Sequence, residues 1–130
     1  MNYAIIGVGG IGGYYGGLLA KANKNVQFLL HSDYEYVKKN GLQINSKNGD
    51  FHLDNLNVFN NVKNMNPADV IIVCLKTTNN HLLKSFLPHL VKNDSLVVLI
   101  QNGLGLESDL QKEFPDINIV GGMAFICTQK

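Results

Sequence analysis

Cysteine is scarce in this chain. Cys74 and Cys127 are the two among 130 residues, far apart and each inside an apolar run, with no CxxC spacing around them. A disulfide scaffold is excluded, and a reducing, cytoplasmic setting is expected. Charge of one sign is lacking too: eleven Lys and Arg face ten Asp and Glu, a formal net charge of +1, and no stretch concentrates either sign. Nucleic acid and anionic membrane are therefore not expected as partners. No apolar run approaches the roughly 20 residues of a membrane span. The opening MNYAIIGVGG has neither a basic leader nor a small-residue cleavage site, so no signal peptide is expected. His81 and His89 stand eight residues apart on a candidate helix, a spacing that offers no metal pair, and no metal site is expected. Internal repeats and low-complexity tracts are missing. The length suits one domain with a real core and is short for a complete two-domain enzyme.

Glycine, by contrast, is concentrated. Residues 7 to 17 read GVGGIGGYYGG, seven glycines in eleven positions. A glycine inside a helix costs about 0.5 to 1 kcal/mol relative to alanine, so something must offset that loss here. Gly7-Val8-Gly9-Gly10-Ile11-Gly12 fits GxGxxG in one register, directly after the strand candidate Tyr3 to Ile6 and at the mouth of the helix candidate Ile11 to Ala22. In that setting Gly7 permits the tight turn, Gly9 lets the backbone approach a pyrophosphate, and Gly12 lets the helix pack closely on the strand. The free N–H groups and positive dipole end of the helix then face the phosphates. No Lys-Ser or Lys-Thr pair follows, which excludes a P-loop. Gly13, Gly16 and Gly17 exceed the fingerprint and are assigned to close helix packing, while Gly10 has no separate part in it.

The rest of the chain alternates. Val26 to Leu30 is a strand candidate, and Tyr34 to Lys39 is a short helix closed by Asn40-Gly41. Leu42 to Asn45 and Phe51 to Leu53 flank the hairpin signal Lys47-Asn48-Gly49. Asp69 to Leu75, Ser95 to Ile100 and Ile117 to Val120 are further strands, separated by helices over Asn79 to Leu90, capped by Asn79 or Asn80, and over Leu106 to Phe114. Strands apolar on both faces imply a mostly parallel sheet with helices on both sides. The fold class is α/β, doubly wound. Met123 to Lys130 is strand-like with no helix behind it, and the chain is expected to be part of a longer protein.

The second strand ends Leu29-Leu30-His31-Ser32-Asp33. An acidic residue about twenty positions after the fingerprint would hold the ribose hydroxyls of NAD, and Asp33 is near that spacing. His31 and Ser32 lie closer to the strand end, where an imidazole and a hydroxyl can hold a 2′-phosphate.

Several marks together resemble the ketopantoate reductase (2-dehydropantoate 2-reductase) family. They are IIGVGGIGGYYGGLLA, Lys39-Asn40-Gly41-Leu42, Leu75-Lys76, Gln101-Asn102-Gly103 and Val120-Gly121-Gly122, spread over nearly the whole chain. The resemblance implies the Rossmann-type cofactor domain, over residues 1 to 130, of an oxidoreductase that carries hydride from NADPH to 2-dehydropantoate on the route to pantothenate. It places Gly7 to Gly12 on the pyrophosphate, Lys76 near the 2′-phosphate, where a cation favours NADP over NAD, and Asn102 near the nicotinamide ribose and the substrate. The arginine common in the family at the end of the second strand is replaced here by His31 and Ser32. The family's catalytic lysine and substrate-binding carboxylate belong to a C-terminal helical domain, so no catalytic residue is assigned in this chain. A small-molecule 2-oxo acid and that second domain are the expected partners, with a homodimer a further expectation. Two alternatives stay open: a stand-alone NAD(H)-sensing module using Asp33, and a reductase of another 2-oxo acid. Cys74 reads as a small buried apolar residue rather than a nucleophile.

Overall fold

The computed structural model describes residues 1–7, 10–31, 34–44, 49–54, 56–74, 82–100 and 106–122. Six strands form one sheet in the order β5-β2-β1-β6-β7-β8, and every pairing in it is parallel. They are β1 (Asn2–Ile6), β2 (Asn25–Leu29), β5 (Asn57–Phe59), β6 (Ala68–Val73), β7 (Val91–Ile100) and β8 (Asn118–Gly122). A separate antiparallel hairpin joins β3 (Leu42–Ile44) to β4 (Phe51–Leu53), with Leu42 opposite Leu53 and Ile44 opposite Phe51. The helices are α1 (Gly10–Lys21), α2 (Tyr34–Asn40), α3 (Leu83–Leu90) and α4 (Leu106–Glu113), with a 3-10 turn at Val62–Asn64.

Alternation along the strands builds two cores, because successive side chains leave opposite faces. Ala4, Ile6, Ile71, Val73, Val97 and Leu99 point to one side and pack with Leu83, Leu87 and Leu90 of α3 and Leu110 of α4. Ile5, Val26 and Phe28 point to the other, beneath Leu19 and Ala20 of α1 and Val37 of α2. Helices therefore cover both faces, as a doubly wound sheet requires.

The second glycine cluster is explained by close approach. A Cβ built on Gly16 would lie 2.5 Å from Cε2 of Phe28 and 3.0 Å from Cγ1 of Ile5, so α1 lies directly on β1 and β2. A Cβ on Gly17 would lie 3.1 Å from Cγ1 of Ile44, on the hairpin side. The hairpin thus clasps α1 from outside, and Lys21 Nζ stands 4.6 Å above the Phe51 ring. Gly41 closes α2 at φ 80°, its N–H donating to Val37 O at 2.8 Å, the left-handed cap expected there.

Two features differ from the sequence reading. The middle section is more than a hairpin: β5, only three residues long, joins the parallel sheet at β2, with Leu30 N–H donating to Phe59 O at 2.8 Å. The β7 strand starts four residues early because Val91 pairs with Ala68 and Leu96 with Val70, leaving a bulge between. Asp94 takes φ 66° in that bulge, and buried Ser95 holds it: Oγ accepts from Lys92 N–H at 2.9 Å and donates to Ala68 O at 2.7 Å. Asn79 and Asn80, and the strand-like run 123–130, lie outside the described residues.

Asp69 ties the amino-terminal edge of the sheet. Its carboxylate accepts the Asn2 backbone N–H at 2.7 Å and pairs with Lys92 Nζ at 3.0 Å; these two donors, the backbone N–H first, hold its pKa below the usual aspartate value. A carboxylate with a lowered folded pKa stabilises the fold above its unfolded pKa of about 3.9, and that stabilisation is lost as pH falls through the lower folded value. Asp69→Asn is therefore expected to lower the urea midpoint at pH 7, with the gap to the parent closing as pH falls below about 3.9 and through the lowered folded value.

Candidate functional site

The strand order runs outward from β1 through β2 to β5, then returns to β6 on the other side of β1. In open α/β sheets ligands bind outside the carboxyl ends of the strands at such a reversal. Here the reversal falls between the ends of β1 and β6, where Cys74 N–H donates to Ile6 O at 2.7 Å. Gly7 leaves β1 at that point with φ 85°, a left-handed conformation that disfavours any residue carrying a Cβ. Three residues later α1 begins at Gly10, so the chain turns from strand to helix within one short loop. The first-turn N–H groups of α1, including those of Gly10, Ile11 and Gly12, have no acceptor within the helix and face the turn. No acidic side chain stands in that first turn to compete for an anion. Donors, dipole and close backbone together suit a pyrophosphate.

Of the other expected residues, His31 lies on the same edge. Since all six strands are parallel, the ends of β2, β1 and β6 sit side by side, followed by His31, Gly7 and Cys74 in turn. His31 is exposed, and its carbonyl accepts the Tyr34 N–H that opens α2 at 3.4 Å. Cys74 is half-buried. Val8, Gly9, Ser32, Lys76 and Asn102 lie outside the described residues; Lys76 comes two residues after Cys74, and Asn102 two after Ile100, the last residue of β7. Among the described residues no group of histidine, cysteine, aspartate and glutamate could hold a metal ion, and no helix is long and apolar enough to cross a membrane.

Gln27, which no motif marks, ties the amino-terminal entry of β6 to β2, at the opposite edge of the sheet. Its buried amide accepts Asn66 N–H at 2.8 Å and donates to Asn66 O at 2.9 Å, clamping the segment that leads into β6 against β2. A polar residue in an otherwise apolar strand, VQFLL, was the available signal.

Residues 3–130 match the family described as ketopantoate reductase PanE/ApbA. The chain belongs to that family. It is 51% identical over 129 residues to a 2-dehydropantoate 2-reductase of Nostoc sp. (strain PCC 7120), a match covering 99% of this chain and 40% of the relative. The crystal structure of 2-dehydropantoate 2-reductase from Geobacter metallireducens GS-15 superposes with a TM-score of 0.85 at 32% identity, covering 95% of this chain and 46% of that one. The enzyme from Methylococcus capsulatus gives a TM-score of 0.83 at 33% identity, over 96% of this chain and 41% of that one. The chain thus spans less than half the length of these ketopantoate reductases, and the shared part is the Rossmann-type unit.

Proposed function

We propose that residues 1–130 are the NADPH-binding part of a cytoplasmic 2-dehydropantoate 2-reductase, which reduces the 2-keto group of ketopantoate to give pantoate. The observation that carries this reading is Gly7 at φ 85°, set at the carboxyl end of β1 beside the strand-order reversal and opening directly onto α1. When bound, NADPH supplies the hydride. Gly7 turns the chain, and the segment Val8 to Gly12 brings backbone N–H groups to the pyrophosphate. His31 and Ser32 at the end of β2, with Lys76 after β6, offer imidazole, hydroxyl and ammonium to the adenosine 2′-phosphate, which favours NADP over NAD. Asn102 after β7 orients the nicotinamide ribose and the 2-oxo acid. The proton for the developing alkoxide comes from a general acid outside this chain, in the further domain of the longer enzyme.

Calorimetric titration with NADPH and NADH tests the reading. NADPH is expected to bind more tightly, and His31→Ala to weaken it about fivefold, since a hydrogen bond to a charged group is worth on the order of 1 kcal/mol at an exposed site, while NADH is unaffected. A preference for NADH that Asp33→Ala abolishes would instead support an NAD(H)-sensing module. The 130-residue chain alone is expected to show no ketopantoate-dependent oxidation of NADPH.

A further inference from the structure

The end of β2 has a second source of positive charge, on α2. That helix begins three residues after His31, and the N–H of its opening Tyr34 donates to His31 O at 3.4 Å. Its first turn therefore lies at the same edge as Gly7 and His31. Lys38 is one turn further along, about 5.4 Å, yet its side chain runs back toward that edge. A helical side chain leans toward the amino terminus of its helix, and here Lys38 Nζ donates to Tyr34 Oη at 3.1 Å and stands 5.3 Å from the centre of the Tyr34 ring. Tyr34 is itself half-buried against the core that holds Ile5, Phe28 and Val37, which makes it a fixed post.

The ammonium is held but not neutralised. Lys84 is paired with Glu113 and Lys92 with Asp69, whereas among the described residues no carboxylate lies within ion-pair distance of exposed Lys38. An ammonium has three N–H donors, and the tyrosine takes one. Two remain for a ligand. The Tyr34 hydroxyl that accepts from it holds the Lys38 pKa above the ordinary lysine value, so the charge is present at neutral pH.

We infer that Lys38 is a specificity-determining residue for the cofactor, a cation for the adenosine 2′-phosphate that favours NADPH over NADH, in a role that presupposes the NADPH binding proposed above. It gives the end of β2 a permanent cation, where the strand itself offers an imidazole and a hydroxyl in place of an arginine. Tyr34 is the positioning residue. A lysine already tied to a fixed hydroxyl gives up less rotamer freedom on gripping a phosphate than a lysine free in solvent.

Titration of the 130-residue chain and its variants with NADPH and NADH tests this. Lys38→Gln is expected to weaken NADPH about two- to fivefold, the range of an exposed ion pair, to flatten the salt dependence of NADPH binding, and to leave NADH unchanged. Lys38→Arg should keep the preference. Tyr34→Phe keeps the ring and loses the acceptor, so it should weaken NADPH by a smaller factor and spare NADH. Lys39→Gln removes the same charge about 100° round the helix and should change neither affinity. Equal losses from Lys38→Gln and Lys39→Gln would overturn the inference, because net charge and not position would then be at work. Loss of both dinucleotides on Lys38→Gln would overturn it as damage to α2. A parent chain that binds NADPH no better than NADH would overturn the NADPH reading and this inference together, whereas a preference that survives Lys38→Gln would overturn the part of Lys38 alone.

Discussion

Gly16→Val is expected to lower the stability of the fold by about 2 to 3 kcal/mol, the range for inserting methyl groups into a filled core. The first added carbon would already sit 2.5 Å from the Phe28 ring and 3.0 Å from Ile5. Phe28 is 1% exposed and Ile5 fully buried, so neither has room to retreat without displacing Val26, Leu30 or Val37. Gly16→Ala should cost less, because alanine recovers about 1 kcal/mol of helix propensity. At Gly17 the same gain meets only Ile44 at 3.1 Å and Phe51 at 3.5 Å, on a small two-stranded hairpin that can shift. Gly17→Ala should therefore be near neutral. Urea midpoints at constant m distinguish these outcomes. A neutral Gly16→Val would mean that α1 does not lie on β1 and β2 as described.

Gly7→Val is expected to reduce affinity for NADPH at least tenfold, about 1.4 kcal/mol, and stability by about 1 to 2 kcal/mol. The stability loss follows from forcing a β-branched residue to φ 85°. The affinity loss is larger in its consequence, because relaxation of that strain would turn the peptide after β1 and move the first N–H groups of α1 away from the strand-order reversal. Fluorescence titration with NADPH, paired with the urea midpoint of the same variant, separates the two effects. Retained affinity with lowered stability would make Gly7 a turn former only.

The sheet and its fingerprint were legible because their signals are local and strong. Strands β1, β2 and β6 are short, mostly apolar segments of five or six residues, and GVGGIG follows the first of them directly. The cap at Gly41 was readable from Asn40-Gly41 for the same reason. What escaped was written between distant residues. β5 is a three-residue strand, NVF, whose membership depends on pairing with Gln27, Phe28 and Leu29 some thirty positions earlier. The bulge at the start of β7 depends on Ser95 reaching Ala68 O, twenty-seven residues away, and no periodicity in VKNDS announces it. The separate duties of Gly16 and Gly17 likewise follow from which partner each meets, Phe28 or Ile44, and not from their spacing. For the candidate site the sequence offers Gly7 to Gly12 and His31, and the parallel pairing of β2, β1 and β6 is the reason Gly7 and His31 share an edge.

The proposed function requires a dinucleotide to bind at the carboxyl ends of β1, β2 and β6. Amide chemical shifts of the isotopically labelled chain, followed on addition of NADPH, test it most directly. Changes are expected at Gly7, Gly10 to Gly12, His31 and Cys74, with Asn2, Asp69, Lys92 and Ser95 at the opposite edge of the sheet unmoved. Changes confined to that opposite edge, or none at millimolar NADPH, would contradict it.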